Sequence, residues 1–331
     1  MDKENVGTTS KPEYPSQHYD LYKYNGLVAN QCTRRDKILI ELKKRRNDQV
    51  DELRGIDEIF EDDDDENGEE LMEVVEHCRK RYKRYHSRLM LSEWMCEVPV
   101  DLEENWLFKI CPVGVRNIVV ANKGLTKVYN RRGEKKSVFQ SNLPGGGKFS
   151  KAITFTLLDC IYRAQEKTYY VLDVLVWNSH SLLNCSTEFR FFFLRNKLLE
   201  DPTLNSESNK FNFVYLTDHQ ALLPTIEEEL GREYSINEIE MAVDGVLFYH
   251  KDCPYLSGQT PIVTWLKPYM IPEKLQLPVH ESYLANKPKN YTTLQEYLNY
   301  IQTKYKKKRS TEMIVDNMEA EIIEESNEMD D

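Results

Sequence analysis

The segment Val243-Asp244-Gly245-Val246-Leu247-Phe248-Tyr249-His250 sets the fold class. It is dense in β-branched and aromatic side chains, which suit a pleated and packed surface better than a helix. Similar runs lie before and after it: Leu107 to Cys111, Asn117 to Ala121, Ile153 to Asp159, Thr168 to Trp177, Glu188 to Leu194, Phe211 to Leu216 and Pro261 to Leu266. The alternation of Phe189, Phe191 and Phe193 marks the run at 188–194 as a strand with one apolar face. Leu-Pro-Gly-Gly-Gly at 143–147 is a turn signal. Helices are expected at Leu222 to Leu230 and at Thr293 to Tyr305. The second has a capping box, Thr293 with Glu296, and a stripe of Leu294, Leu298, Ile301 and Tyr305. The expected class is therefore α+β, a mainly antiparallel sheet protein occupying about residues 86–290.

Charge complicates the choice of partner. The 331 residues carry a formal net charge of −11, which by itself disfavours binding to phosphates. The acid is unevenly spread. Asp57 to Glu76 holds 12 acidic residues and no basic one, and Glu312 to Asp331 holds 9 and none. Outside those two segments 34 acidic residues face 44 basic ones, so the rest of the chain is basic. No apolar run approaches the roughly 20 residues of a membrane helix, and Met1 to Thr9 has no apolar signal core. The seven cysteines are scattered without a Cys-x-x-Cys pair, and the seven histidines show no His-x-x-x-His spacing. Neither a disulfide framework nor a metal site or cofactor is expected, and the cysteine usage suits a reducing compartment.

The flanks read differently from the body. Residues 1–19 are expected to lack structure, and 20–56 to hold a helix through Arg34 to Arg54 capped by Thr33-x-x-Asp36. Its cations are Arg34, Arg35, Lys37, Lys43, Lys44, Arg45 and Arg46, and its apolar residues are too few for a core of its own. Such a helix gains little until it meets an acidic surface. The run EDDDDENGEE then begins an extended linker, so 57–85 comprises that linker and the basic lead-in RKRYKRYHSR. Besides keeping the chain soluble, the acidic run can screen the basic helix. Residues 291–331 comprise the last helix, the cluster Lys306-Lys307-Lys308-Arg309 and an acidic tail.

Two motifs test for chemistry. Gly145-Gly146-Gly147-Lys148 is followed by Phe149, where a phosphate-binding loop needs Ser or Thr for its magnesium ion, so a hairpin loop is the better account. The series Leu158-Asp159-Cys160, Leu172-Asp173-Val174-Leu175, Val243 to Phe248 and Pro261 to Pro268 resembles, in order, the motifs of nucleotidyltransferases that include RNA guanylyltransferases and DNA ligases. The resemblance implies strands around a nucleotide pocket. Those enzymes attack the α-phosphate with the lysine of Lys-x-Asp-Gly. Here Asp244-Gly245 is preceded by Ala242 and Val243, no Lys-x-Asp-Gly occurs, and Asp159 is followed by Cys160 instead of Gly-Glu. The expected pocket binds without reacting, and Asp173 and Asp244 are read as scaffold. An active guanylyltransferase-like enzyme is the disfavoured alternative.

A closer resemblance spans most of the chain. LMLSEW (89–94), CPVG (111–114), LPGG, LLDCIY (157–162), TYYVLDV, the FRF segment, VDGVLFYHK and WLKPYM (265–270) resemble, in order, the snurportin family of nuclear import adaptors. The resemblance implies a non-enzymatic, nucleotidyltransferase-like domain for the 2,2,7-trimethylguanosine cap of spliceosomal small nuclear RNAs. It further implies an N-terminal importin-β-binding helix carrying the seven cations above, recycling by an exportin, and shuttling between nucleus and cytoplasm without a membrane partner. Met1 to Ser16 shows little of the hydrophobic spacing such an exportin reads. On the family pattern Trp265 is the stacking platform, Leu91 and Trp94 border the base and its methyls, and Ser92 contacts the cap. Lys267 closes the same constellation, while Arg116 and Arg131 meet the triphosphate bridge and the next nucleotide. Val115 is apolar where the family carries a basic residue. The chemistry suits this ligand, because N7 methylation makes guanine cationic and a Trp face is the best side-chain partner for a cationic ring. Without the family pattern a Trp in a β protein is read as core, as Trp106 and Trp177 are here.

Overall fold

The computed structural model describes residues 31–45, 85, 88–148, 154–206, 209–289, 291–301 and 303. The expectations for 1–30, 46–84 and 304–331, including both acidic segments and the basic cluster, fall outside these residues.

Helix α1 (Gln31–Arg45) comes first. Strands β1 (Met90–Trp94), β2 (Trp106–Pro112), β10 (His219–Gln220), β13 (Val243–His250) and β14 (Gly258–Leu266) form one sheet in the order β1-β14-β13-β2-β10. Strands β3 (Val115–Asn122), β4 (Leu125–Asn130), β5 (Lys135–Phe139), β6 (Phe155–Arg163), β7 (Thr168–Trp177) and β8 (His180–Ser181) form a second in the order β5-β4-β3-β6-β7-β8, with β9 (Asn212–Tyr215) also paired to β7. Pairing is antiparallel except for β1 with β14 and β9 with β7. A small hairpin joins β11 (Ser235–Ile236) and β12 (Ile239–Glu240). The helices are α2 (Leu102–Asn105), α3 (Thr187–Glu200), α4 (Leu223–Leu230), α5 (Ile271–Leu275), α6 (Glu281–Ala285) and α7 (294–301). The α+β class read from the sequence is the class observed, and no helix among the described residues is long and apolar enough to cross a membrane.

The chain passes from the first sheet to the second in two residues, Val113 and Gly114. Glycine is required there. A Cβ at 114 would lie 2.5 Å from Ile161 Cγ2 and 2.8 Å from the Tyr162 carbonyl oxygen. Strands β2, β7 and β13 are buried along their whole length, which is why they read as continuous apolar runs instead of alternating ones.

One expected strand is a helix. Residues 187–200 form α3, N-capped by the Ser186 hydroxyl, which accepts from the Phe189 amide. Its buried residues are Thr187, Arg190, Phe191 and Leu194, spaced as one helical face. Phe189 and Phe192 point to solvent. The Phe189, Phe191 and Phe193 alternation is thus incidental to the local Ser-Thr-Glu start. Helix α1 corrects a second expectation, because Thr33 lies inside the helix instead of capping it. In α7, Thr293 caps as expected by accepting from the Glu296 amide, and Leu294, Leu298 and Ile301 are buried. Tyr305 lies outside the described residues.

Three buried cations join the layers. Lys109 on β2 donates to the Leu172 carbonyl on β7 at 2.8 Å and lies 3.7 Å from the Phe191 ring centre. Burial pulls its amine down to about 8. Arg116 on β3 holds Asp159 on β6 through two bonds, at 3.0 and 2.7 Å, and donates to the Met90 carbonyl on β1. Arg190 on α3 holds Asp173 on β7 the same way and caps the Cys185 and Cys253 carbonyls. Removing one member of such a pair leaves a buried uncompensated charge. Arg190→Met should therefore lose about 3–5 kcal/mol of stability, read as a fall in the urea midpoint; a midpoint within error of wild type would show that Asp173 does not depend on its arginine.

Candidate functional site

The expected base platform lies where β1 and β14 run side by side. Met90, Leu91 and Ser92 pair with Gly258, Gln259 and Thr260; the register then jumps, and Glu93 and Trp94 pair with Thr264 and Trp265. This irregularity sets the two tryptophans opposite each other on neighbouring strands. Trp94 is held edge-on by Tyr297 of α7, with ring centres 5.5 Å apart.

Trp265 is fully buried, and its ring lies flat against the backbone of Gly245 on β13. A Cβ at 245 would sit 2.1 Å from Trp265 Cζ2. Next along the chain, Lys267 turns its amine to the Asp244 carboxylate and to the Asp244 carbonyl oxygen at 2.7 Å. That amine is 5.6 Å from the Trp265 ring centre. Burial lowers the pKa of Lys267, and Asp244 opposes the shift. The Asp-Gly of VDGV thus does two jobs. Asp244 neutralises the lysine beside the indole, and Gly245 makes room for the indole.

The other expected site residues come from the second sheet. Val115 and Arg116 open β3, and Arg131 sits in the turn after β4. The pairing of Asn117 with Asn130 brings the end of β4 beside the start of β3, so these three share one end of the sheet. Val115 is exposed, whereas Arg116 is buried and engaged with Asp159 and Met90. Burial alone would lower the pKa of Arg116, but Asp159 outweighs it and the pKa is raised. Ser92 is buried and Leu91 half-buried on β1. The structure brings Leu91, Ser92, Trp94 and Trp265 onto the adjacent strands β1 and β14, with Lys267 just past the end of β14; Arg116 reaches β1 through the Met90 carbonyl. Sequence reading passed over Glu93, Gly245 and Tyr297. The Asp-Gly dipeptide within an apolar run was the available signal for Gly245.

Of the cations assigned to the N-terminal helix, Lys37 is exposed while Arg34 and Arg35 face the domain. The side chains of Lys43, Lys44, Arg45 and Arg46 lie outside the described residues.

Solved structures similar to this chain include the ligase domain of M. tuberculosis LigD, at 16% identity over 54% of this chain with a TM-score of 0.35. A mycobacterial DNA ligase D complexed with ATP and MES has 15% identity over 54% of this chain and a TM-score of 0.34. The chain covers 58% of each of these two structures. By family, residues 88–268 match a cap-binding domain. The matching model is that of Snurportin1, m3G cap-binding domain, and the chain belongs to the snurportin family.

A prediction follows from the Gly245 contact. Gly245→Ala should lower stability by about 1–3 kcal/mol through overpacking and shift the tryptophan emission, as read by urea unfolding and fluorescence. Wild-type behaviour in both would mean that the indole is not confined by the glycine.

Proposed function

We propose that the chain is a nuclear import adaptor without catalytic activity. In this reading the domain of residues 86–290 holds the 2,2,7-trimethylguanosine cap of a spliceosomal small nuclear RNA within its ribonucleoprotein, and residues 20–56 recruit importin-β. The cap marks cargo, the helix recruits the carrier, and the linker allows both sites to be used at once. The adaptor shuttles between cytoplasm and nucleus, with an exportin returning it.

The observation that carries the cap assignment is the pairing of Trp94 and Trp265 on β1 and β14 inside the family-matched segment. One face of Trp265 is closed by Gly245, so a base can stack only on the opposite face. Trp265 is fully buried, so that face opens only when the group covering it moves aside. A cationic ring is attracted to the indole, and Asp244 offsets the charge of Lys267 that would otherwise repel it. The two N2 methyls leave that nitrogen with no donor hydrogen, so apolar side chains such as Leu91 and Trp94 suit it. Arg116 and Arg131, with Val115 beside them, are assigned to the phosphate bridge and next nucleotide. For Arg116 this role adds to its bond with Asp159 or exchanges for it.

The absence of chemistry is supported by what the candidate reactive positions do. Asp159 spends both carboxylate oxygens on Arg116 and also accepts from the Tyr255 hydroxyl. The lysine nearest the Asp-Gly, Lys267, is buried against Asp244 instead of preceding it in a Lys-x-Asp-Gly.

Titration with cap analogues, followed by tryptophan fluorescence, tests the binding assignment. Trimethylated analogue should quench more strongly than the monomethylated one. Trp265→Ala should weaken binding by about 5- to 150-fold, the equivalent of roughly 1–3 kcal/mol of stacking, while Trp265→Phe should keep part of it. Equal affinity of Trp265→Ala and wild type would overturn the site. Separately, incubation with GTP and magnesium followed by denaturation should leave no covalent GMP on the protein; an adduct would overturn the non-enzymatic reading.

A further inference from the structure

The glycine loop from Leu143 to Lys148 walls a cavity of about 540 Å³ on the second sheet. Facing the loop across it are Thr203, Asn209 and Phe211, from the segment that joins α3 to β9. The pairing of Thr126 with Phe139 puts this cavity at the opposite end of β4 and β5 from Arg131. Its loop is firmly tied. The Ser141 amide donates to the Gly146 carbonyl at 3.0 Å, and the Gly124 amide to the Gly145 carbonyl at 2.9 Å. The side-chain amides of Asn142 and Asn209 both donate to the Thr203 carbonyl, at 3.0 and 2.6 Å, and so join the two walls. Their side-chain oxygens are acceptors for a ligand. Phe211 is half-buried, with its ring centre 4.4 Å from that of Phe139 and 5.6 Å from that of Tyr169. Two exposed lysines stand at the rim: Lys148, and Lys210 with its amine 5.6 Å from the Phe211 ring centre. No carboxylate is among the described residues that line the cavity.

We propose that this cavity holds a nucleotide of single-stranded RNA, its base stacked on Phe211 and its phosphates met by Lys148 and Lys210. An aromatic platform flanked by cations is the combination that single strands use, and it accepts any base because every base has a flat face. The Asn142 and Asn209 oxygens add acceptors for the amino hydrogens of a base. Phe149, which bars the loop from holding a magnesium ion, does not bar it from presenting Lys148 to a phosphate as a point charge. A basic route leads to the cavity from the cap end of the sheet. Edge strand β5 begins shortly after Arg131 and Arg132 and ends at Phe139, next to Gln140 of the cavity wall. Lys135 and Lys136 are exposed along it, Lys136 in contact with Glu134 at 3.0 Å. Its five residues span about 17 Å, so the nucleotide held lies some way downstream of the cap. Two linked contacts favour an intact capped RNA over a free cap, since the second forms within one molecule. The downstream placement rests on the cap reading proposed above; the RNA cavity does not.

Titration of the full chain with three probes tests this: the trimethylated cap dinucleotide, an RNA of about twelve nucleotides bearing that cap, and the same RNA uncapped. Wild type should bind the capped RNA about tenfold more tightly than the dinucleotide, and the uncapped RNA weakly. Phe211→Ala should weaken both RNAs about fivefold or more and leave the dinucleotide unchanged, which a damaged fold would not do. The surface pair Lys148→Gln, Lys210→Gln keeps the test independent of core packing. It should weaken the same two probes and lower the logarithmic salt slope of RNA binding by about 0.7 per lysine. RNA affinities unchanged in both variants, or capped RNA bound no more tightly than the dinucleotide, would overturn the cavity assignment. Should the dinucleotide fail to bind while both variants still weaken the uncapped RNA, the cap reading falls and the RNA cavity stands.

Discussion

Buried positive charge between the two sheets is the constraint that the rest of the structure depends on. Lys109, Arg116 and Arg190 are each enclosed by the protein. An ion removed from water is tolerated only when paired and fully hydrogen-bonded. That requirement dictates geometry. Arg116 must meet Asp159 across β3 and β6 while reaching the Met90 carbonyl of β1, so the start of β1 is fixed against the second sheet. Arg190 must meet Asp173, Cys185 and Cys253 at once, which fixes α3 against β7 and against the segment leading into β14. Apolar contacts alone would allow the sheets to slide over one another. These bonds do not, because each donor has a particular acceptor.

The site inherits its shape from this arrangement. Since β1 is anchored at Met90, Trp94 lies four residues further along, opposite Trp265. Because β13 carries Gly245, the indole can rest directly on the backbone. Asp159 and Asp173 lie in segments that resemble nucleotidyltransferase motifs, yet each serves as an arginine's partner. The same acidic positions therefore act here as fasteners between strands. A carboxylate with both oxygens engaged by a buried guanidinium is poorly placed to take up a metal ion.

Legibility in the sequence followed the range of the interactions involved. Strands β7 and β13 were readable residue for residue, since complete burial imposes an unbroken apolar run on the local sequence. Strand β1 was noticed only as the motif LMLSEW. Its Ser92 and Glu93 are buried polar residues whose partners lie 59 residues or more away in sequence for Glu93, and nothing local announces that satisfaction. The run at 188–194 misled because three phenylalanines at alternate positions mimic a strand, while the Ser186 cap and the buried face at 187, 190, 191 and 194 are the stronger local facts. Of the candidate site, Trp94 and Trp265 were legible through family resemblance. Their mutual placement depends on a register jump between Ser92 and Glu93 that no propensity encodes.

The arginines of α1 are held differently from those enclosed between the layers. Arg116 and Arg190 sit between layers and could leave only if the sheets separated. Arg34 retains 23% exposure of its side chain while bound to Glu93, at an edge that water and salt can reach. Apolar burial on α1 is confined mainly to Leu42, with Ile38 and Leu39 half-covered. Directional polar bonds therefore hold the helix more than hydrophobic area does. The sparse apolar content of α1, which in the sequence meant that the helix has no core of its own, leaves polar bonds to Glu93 and Glu97 as much of its hold on the domain.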